Sequence, residues 1–227
     1  LEYSIRSPRV AEAMELCEWV KKIAKGAGMM TETTVDIEFR SAVSETIPNE
    51  TLEKVLQDNL EAAPFPVYTK EEYEFGAAIN KSYEVKGSVA DLAAKLNPEW
   101  EKILADRAAI KGWNLNDLVL PYKHWDFPIC ASTDVGDVSY ICPTAMFFAP
   151  TAAARILEHS WQYVACNNTS IAHKGLIYAG QVLAGAGIDL LENPEKVKLA
   201  KEEFIRNLDG RTYCCPIPDE VQPDIEK

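Results

Sequence analysis

The chain has 227 residues, of which 47% are hydrophobic and 26% are charged, a composition that favours a globular protein with one sizeable core. Its formal net charge is −12, which argues against nucleic acid as a partner because phosphates would be repelled over most of the surface. No apolar run reaches the roughly 18 residues of a membrane span and the start has no hydrophobic leader, so we expect a cytoplasmic protein with no membrane partner.

The six cysteines lie at positions 17, 130, 142, 166, 214 and 215. No two of them have the C-x-x-C spacing of a structural zinc site or a redox motif, so we expect reduced thiols. The first residue is Leu rather than Met. This start suggests a fragment of a longer protein, with a trimmed terminus as the alternative.

The first block of the chain has the pattern strand, helix, strand. Residues 3–6 are β-like, and Ser7-Pro8 is followed by apolar residues at helical spacing to about residue 28. Residues 31–39 then alternate between two faces, as a half-exposed strand does. This block predicts a small, open-faced α+β layer that needs further strands or a partner chain.

The character of the sequence changes after Ile47-Pro48, and we place a domain boundary near residue 46. A helix with an apolar stripe is expected directly after Asn49. Further helix starts are predicted by Thr69-x-x-Glu72, by Ser88-x-x-Asp91 and by Asn97-Pro98-Glu99, the last with a stop at Gly112.

From residue 118 onward the sequence becomes β-like. Short apolar runs broken by Pro or Gly predict strands of a covered sheet at 118–120, 129–131, 138–142 and 145–148. A nearly all-apolar helix from Ser170 to Ala184 is expected to lie buried against that sheet, and a last amphipathic helix begins at Asn193-Pro194. The predicted fold class is therefore α/β.

Three histidines are candidate site residues, although a lone His is more often a packing or capping residue than a ligand. His124 lies in a polar, aromatic loop and His173 in the first turn of the apolar helix. His159 comes between that helix and the loop at 132–139, which holds two carboxylates. Imidazole is a good ligand for zinc or manganese, and a carboxylate can orient its other nitrogen. On spacing alone, two interpretations are equally favoured: a metal site, or an acidic turn followed by a surface His.

Three segments show a resemblance to a known family: Ser-Thr-Asp-Val-Gly-Asp-Val-Ser at 132–139, His-Ser-Trp-Gln at 159–162 and Ser-Ile-Ala-His-Lys-Gly at 170–175. They are similar to the C-terminal signature of aminobenzoyl-glutamate hydrolases. These belong to the co-catalytic metallopeptidases and amidohydrolases, with carboxypeptidase G, the succinyl-diaminopimelate desuccinylases and the indoleacetyl-amino-acid hydrolases. The similarity extends over essentially the whole chain.

The resemblance implies an architecture in two parts. Residues 1–46 would be the second half of an α+β, ferredoxin-like lid and dimerisation domain. Residues 47–227 would be the C-terminal part of a sheet-and-helix, phosphorylase/hydrolase-like catalytic domain that depends on metal. The family's general base and most of its metal ligands come from the part before the lid, so the resemblance implies a C-terminal fragment that is inactive alone. Glu71-Glu72 and Glu202-Glu203 match the family's Glu-Glu pair only superficially and are predicted to be solvated helix faces.

The chemistry implied is metal-dependent hydrolysis of N-acyl-amino-acid amides, with p-aminobenzoyl-glutamate, a folate breakdown product, as the expected substrate of the full-length enzyme. Two divalent ions, zinc or manganese, would lower the pKa of a bound water and polarise the scissile carbonyl; the fragment alone need not bind them. His159 matches the family's last metal ligand, and His173 is the competing candidate. Ser132, Asp134 and His173 are the expected substrate-binding residues, and no catalytic residue is expected in this chain.

The resemblance also implies a homodimer formed through the lid and association with a homologous A subunit. A different class remains as the alternative, a non-catalytic scaffold or assembly subunit. In that case the acidic loop and His159 would be structural.

Overall fold

A computed structural model of the chain describes residues 1–82, 97–124 and 131–221. Eight helices lie in these ranges: α1 (Val10–Thr31), α2 (Glu50–Ala62), α3 (Lys70–Lys81), α4 (Pro98–Lys111), α5 (Val135–Ser139), α6 (Trp161–Asn167), α7 (Ser170–Glu192) and α8 (Pro194–Leu208). None of the described helices has the length and apolar character needed to cross a membrane.

The predicted α/β fold class is wrong, since the described ranges contain no strand beyond an isolated antiparallel bridge between Leu115 and Ala153. The sheet-and-helix catalytic domain and the α+β lid are therefore not the architecture observed. Residues 138–142 end α5 and form local turns, while 33–39, 118–120 and 145–148 have no ladder partner. The strand predicted at 129–131 falls mostly outside the described residues.

The physical reason for this error is that a strand is held by hydrogen bonds to a neighbouring strand. Apolar alternation predicts which face of an extended segment is buried, but it does not supply the neighbour. In residues 138–142 the backbone is satisfied locally instead: the N–H groups of Tyr140, Ile141 and Cys142 donate to carbonyls three or four residues earlier in the chain.

The local helix signals were predicted correctly. Thr69 and Glu72 form both hydrogen bonds of a capping box at the start of α3. Asn97 caps α4, Pro98 occupies its first turn, and Gly112 ends it in the left-handed conformation at φ 75°. The capping box predicted at Ser88-x-x-Asp91 lies outside the described residues.

The chain divides into two compact units, each formed by segments distant in sequence. The first comprises Leu1–Glu50, His124–Ala145 and Lys198–Lys227, and the second comprises Thr51–Lys123 and Met146–Val197. The boundary near residue 46 and the family roles of 1–46 and 47–227 stay predictions.

In the first unit, the start of α2 is fixed by α8. The Asn49 side chain donates to the carbonyl oxygen of Ala200 at 2.8 Å, and the Glu50 N–H donates to a carboxylate oxygen of Glu203 at 2.6 Å. The carboxylate thus satisfies an N–H group at a helix N-terminus, where negative charge is favoured. Glu203 is buried, so its prediction as a solvated residue is wrong.

The second unit contains the main apolar cluster. Its members come from α3, α6, α7 and the segments before and between them: Tyr68, Ile79, Leu115, Ala152, Ala153, Ile156, Cys166 and Ile171. Tyr178 of α7 is also fully buried, and its hydroxyl donates to the carbonyl oxygen of Leu60 at the end of α2. These contacts fix one face of α7.

Candidate functional site

Residues 132–139, called the acidic loop below, are anchored to the segment before α2. The buried Ser139 hydroxyl accepts a hydrogen bond from the Ile47 N–H at 2.8 Å and donates to the Gly136 carbonyl at 2.6 Å. A Cβ at Gly136 would lie only 2.0 Å from the carbonyl oxygen of Ser44. Gly136 is therefore required by close backbone packing, and this half of the loop serves the fold.

The other half of the acidic loop faces solvent. Ser132 and Asp134 are both exposed. Ser132 accepts a long hydrogen bond of 3.4 Å from the Arg6 guanidinium, and Asp134 accepts one of 3.3 Å from the Thr133 hydroxyl. Asp137, by contrast, accepts a 2.6 Å hydrogen bond from the hydroxyl of Ser44, which lies in the segment before α2. Of the two carboxylates in the loop, Asp134 is the one left accessible to a ligand.

A partly buried polar network lies next to the acidic loop. Glu45 accepts hydrogen bonds from the Tyr140 hydroxyl at 2.6 Å, the Val10 N–H at 2.9 Å and the Arg211 guanidinium at 3.2 Å. Burial alone would raise the pKa of Glu45, but these donors outweigh it and hold the pKa below its usual value. Burial and the hydrogen bond to Glu45 raise the pKa of Tyr140 to about 12. All four groups are satisfied within the fold.

The segment that contains His159, like the acidic loop, has some residues that serve the fold and others that face solvent. Ser160 caps α6 by accepting a hydrogen bond from the Tyr163 N–H at 3.3 Å, and Gln162 is buried. Trp161 is 63% exposed. His159 is exposed and has a left-handed backbone at φ 62°, which is uncommon outside glycine and is found repeatedly at functional sites.

The segment at the start of α7 binds a buried carboxylate. The Ser170 hydroxyl donates to Glu72 at 2.5 Å, and the Lys174 ammonium donates to Glu72 at 2.7 Å and to the Val67 carbonyl at 2.8 Å. The Thr69 N–H gives Glu72 a further hydrogen bond at 2.6 Å. Burial alone would raise the pKa of Glu72, but these donors lower it below its usual value.

The burial of Glu72 differs from the solvated helix face predicted from the sequence. The signal was available, since the capping box at Thr69 already requires the Glu72 side chain to fold back toward the helix start. Its partners at the start of α7, Ser170 and Lys174, are distant in sequence and could not be inferred from local spacing.

The rest of the α7 segment is also explained by packing, with one exception. Ile171 and Ala172 are buried, and a Cβ at Gly175 would lie 2.2 Å from the Pro150 carbonyl oxygen. His173 alone points away from these contacts and is exposed.

An open cleft of about 270 Å³ lies between the first turns of α3 and α7. Helix N-termini favour negative charge, and the carboxylate of Glu72 already accepts the Thr69 N–H at the start of α3 and the Ser170 hydroxyl at the start of α7. The cleft is lined by Thr69, Glu71, Glu72, Phe75, Thr169, Ser170 and Ile171. It contains none of the predicted site residues.

The four predicted site residues are thus all exposed. Ser132 and Asp134 belong to the first unit, whereas His159 and His173 belong to the second. Across 1–82, 97–124 and 131–221, no group of three or more His, Cys, Asp or Glu side chains is placed to hold a metal ion. The described donors therefore do not by themselves fit a dimetal centre, and the four assignments stay predictions.

Comparison with known proteins finds a similarity to a subunit of a hydrolase. No family model matches the chain, and neither does any solved structure. One subunit of a known hydrolase, however, is similar to it over 97% of its length.

That relative is the B subunit of p-aminobenzoyl-glutamate hydrolase from Escherichia coli strain K12, with 36% identity over 224 residues. The resemblance expected from the three segments is confirmed by this similarity. The chain spans about half of the relative, 46% of its length.

Proposed function

We propose that this chain is part of a cytoplasmic hydrolase that cleaves N-acyl-amino-acid amides of the p-aminobenzoyl-glutamate type. The similarity to the E. coli relative carries this proposal, because it extends over 97% of the chain at 36% identity rather than over one short motif. The chain covers only part of that relative, so we further propose that it needs additional polypeptide to be active, and that a second type of subunit or a second copy takes part in the assembly.

The proposed roles follow from what the fold leaves available. Ser132, Asp134 and His173 would bind the substrate, since their side chains are exposed and lie outside the packed interior. His159 would contribute one ligand to a metal site, zinc or manganese, whose remaining ligands come from outside this chain. Such a metal would activate water for amide hydrolysis. We assign no step through it, because the described residues do not form its site.

Arg6 is a further candidate for substrate binding. p-Aminobenzoyl-glutamate is an anion, and the chain also carries a negative net charge, −12. Binding the carboxylates of the substrate therefore requires a local cation. The Arg6 guanidinium lies 3.4 Å from the Ser132 hydroxyl, and a guanidinium suits bidentate binding of a carboxylate.

The test uses this chain combined with the part of the E. coli relative that it does not match, with p-aminobenzoate release as the readout. We expect hydrolysis by the combination and a loss of about 100-fold or more in His159→Ala, with less bound metal by elemental analysis. Glu158→Gln, at the exposed neighbour, is the matched control and should retain both. Unchanged activity and metal content in His159→Ala would contradict the proposal and favour a non-catalytic assembly protein.

A further inference from the structure

Helix α7 is apolar on two opposite faces. One face is buried in the second unit through Ile171, Gly175, Tyr178, Val182 and Ala186, which are three or four residues apart. The opposite face exposes five large aliphatic side chains: Leu176 at 66%, Ile177 at 64%, Leu183 at 58%, Ile188 at 55% and Leu191 at 84%. We call these five residues the α7 stripe. A helix that is apolar all round is expected to be covered on all sides, and here one side is open.

The α7 stripe has the features of a contact surface. It extends over about 15 residues, or roughly 22 Å along the helix, and the sequence from 175 to 188 contains no charged side chain. Gly180 and Gly187 lie between the large side chains, and an added Cβ at either would meet no atom within 4 Å. The stripe is thus interrupted by two grooves. Soluble monomers rarely expose an apolar surface of this extent without a partner.

Two observations indicate what covers the stripe. The E. coli relative has more than half of its length without a counterpart here, whereas 97% of this chain is matched. A polypeptide of that origin is therefore available to the proposed enzyme. A second copy of this chain is less suitable, because each copy carries a charge of −12 and would repel the other.

We propose that the α7 stripe is the surface against which polypeptide equivalent to the unmatched part of the E. coli relative packs. His173 lies three and four residues before Leu176 and Ile177, on the same side of the helix, so docking places its imidazole at one end of the interface. The inference rests on the proposed function in one respect, namely that the relative is a guide to the covering polypeptide. It also explains why α7 is open on the side where a sheet was expected from the sequence.

The experiment mixes this chain with the unmatched part of the E. coli relative, produced as a separate polypeptide, and measures complex formation by light scattering and titration. We expect a one-to-one complex. The double substitution Ile177→Glu with Ile188→Glu should weaken it by at least about 30-fold, because a charge would be desolvated toward each end of the stripe. Ile205→Glu is the matched control, since Ile205 of α8 is 59% exposed and lies outside the stripe; it should bind like the wild type.

A second variant separates binding from folding. Gly180→Leu fills one groove from a position where an added Cβ meets no neighbouring atom within 4 Å, so we expect an unchanged or higher melting temperature together with weaker binding. The proposal is overturned if the wild type forms no complex, if the Glu variants bind as tightly as the control, or if the stripe instead forms a homodimer that the same substitutions abolish. A complex that does not hydrolyse p-aminobenzoyl-glutamate would contradict the proposed function alone. Hydrolysis that the stripe variants leave unaffected would contradict the proposed interface alone.

Discussion

Two serines of the acidic loop differ in what the fold requires of them. Ser139 is buried and bonds both the Ile47 N–H and the Gly136 carbonyl, whereas Ser132 is exposed and has one long contact. Ser139→Ala leaves buried backbone groups unpaired and should lower the free energy of unfolding by about 1–3 kcal/mol. Ser132→Ala should change it by no more than about 0.5 kcal/mol. Urea unfolding measures both; equal losses would show that the exposed half of the loop is also structural.

The carboxylate of Glu72 should make stability depend on pH. Its donors hold the pKa below the ordinary value of 4.5, so ionised Glu72 stabilises the fold at higher pH, and this contribution disappears as pH falls through the lowered pKa. At pH 7, Glu72→Gln should lower the free energy of unfolding by about 2 kcal/mol. The difference from wild type should shrink as the pH falls below the ordinary pKa. Urea unfolding from neutral to acidic pH provides the measurement.

The control for this prediction is the neighbouring residue. Glu71 is exposed and lies in the same first turn of α3, so Glu71→Gln should leave stability at neutral pH nearly unchanged. If both Gln variants lose the same amount, or if the loss in Glu72→Gln persists undiminished in acid, the carboxylate does not hold the start of α7 in the way described.

At the scale of elements, the sequence predicts helices better than strands. The residues that begin and end a helix are close together in sequence, whereas a strand depends on a second segment that can be distant. Asn97 and Gly112 bracket α4 through contacts a few residues long, so their types suffice to place both ends. Residues 33–39 alternate as a strand should, yet Val35 and Ile37 remain 39% and 43% exposed. Pairing requires a second segment, and the described parts of this chain do not supply one.

Helix α7 offers a test of close packing with two glycines on opposite faces. A Cβ at Gly175 would lie 2.2 Å from the Pro150 carbonyl oxygen, whereas one at Gly180 would meet nothing within 4 Å. Gly175→Ala should therefore destabilise the protein by about 1–3 kcal/mol through overpacking. Gly180→Ala should stabilise it by up to about 1 kcal/mol, the helix propensity of Ala over Gly. Thermal unfolding of the two variants should show shifts of opposite sign, and shifts of the same sign would contradict the assigned packing.

For the whole molecule, the resemblance identified the relative correctly while the fold class derived beside it was wrong. The three motif segments are short and local, so they can be recognised in isolation. A sheet depends on partners from across a chain, and this chain spans 46% of its relative. The same reasoning applies to the site: residue types at 132, 134, 159 and 173 are visible in the sequence, but which of them share a cavity depends on tertiary contacts that spacing does not determine.

Thiol reactivity should report on the second unit of the molecule separately from the first. Cys142, Cys214 and Cys215 are exposed in the first unit, whereas Cys166 is fully buried in the apolar cluster of the second, beside Ile171. Burial also raises the pKa of the Cys166 thiol, which lowers its thiolate fraction. We expect prompt labelling of the three exposed cysteines by a disulfide reagent and labelling of Cys166 only when the second unit opens.

Mass spectrometry of a Cys130→Ser protein, which removes a thiol outside the described residues, would measure this order of labelling. Because α7 packs on the cluster through Ile171, Gly175→Ala should speed the labelling of Cys166 by about tenfold or more, the rate equivalent of about 1.4 kcal/mol in the opening equilibrium. Gly180→Ala should not speed it, and neither variant should alter the exposed thiols of the first unit. Rapid labelling of Cys166 in the protein that keeps both glycines of α7 would mean that the cluster is not the stable core of its unit.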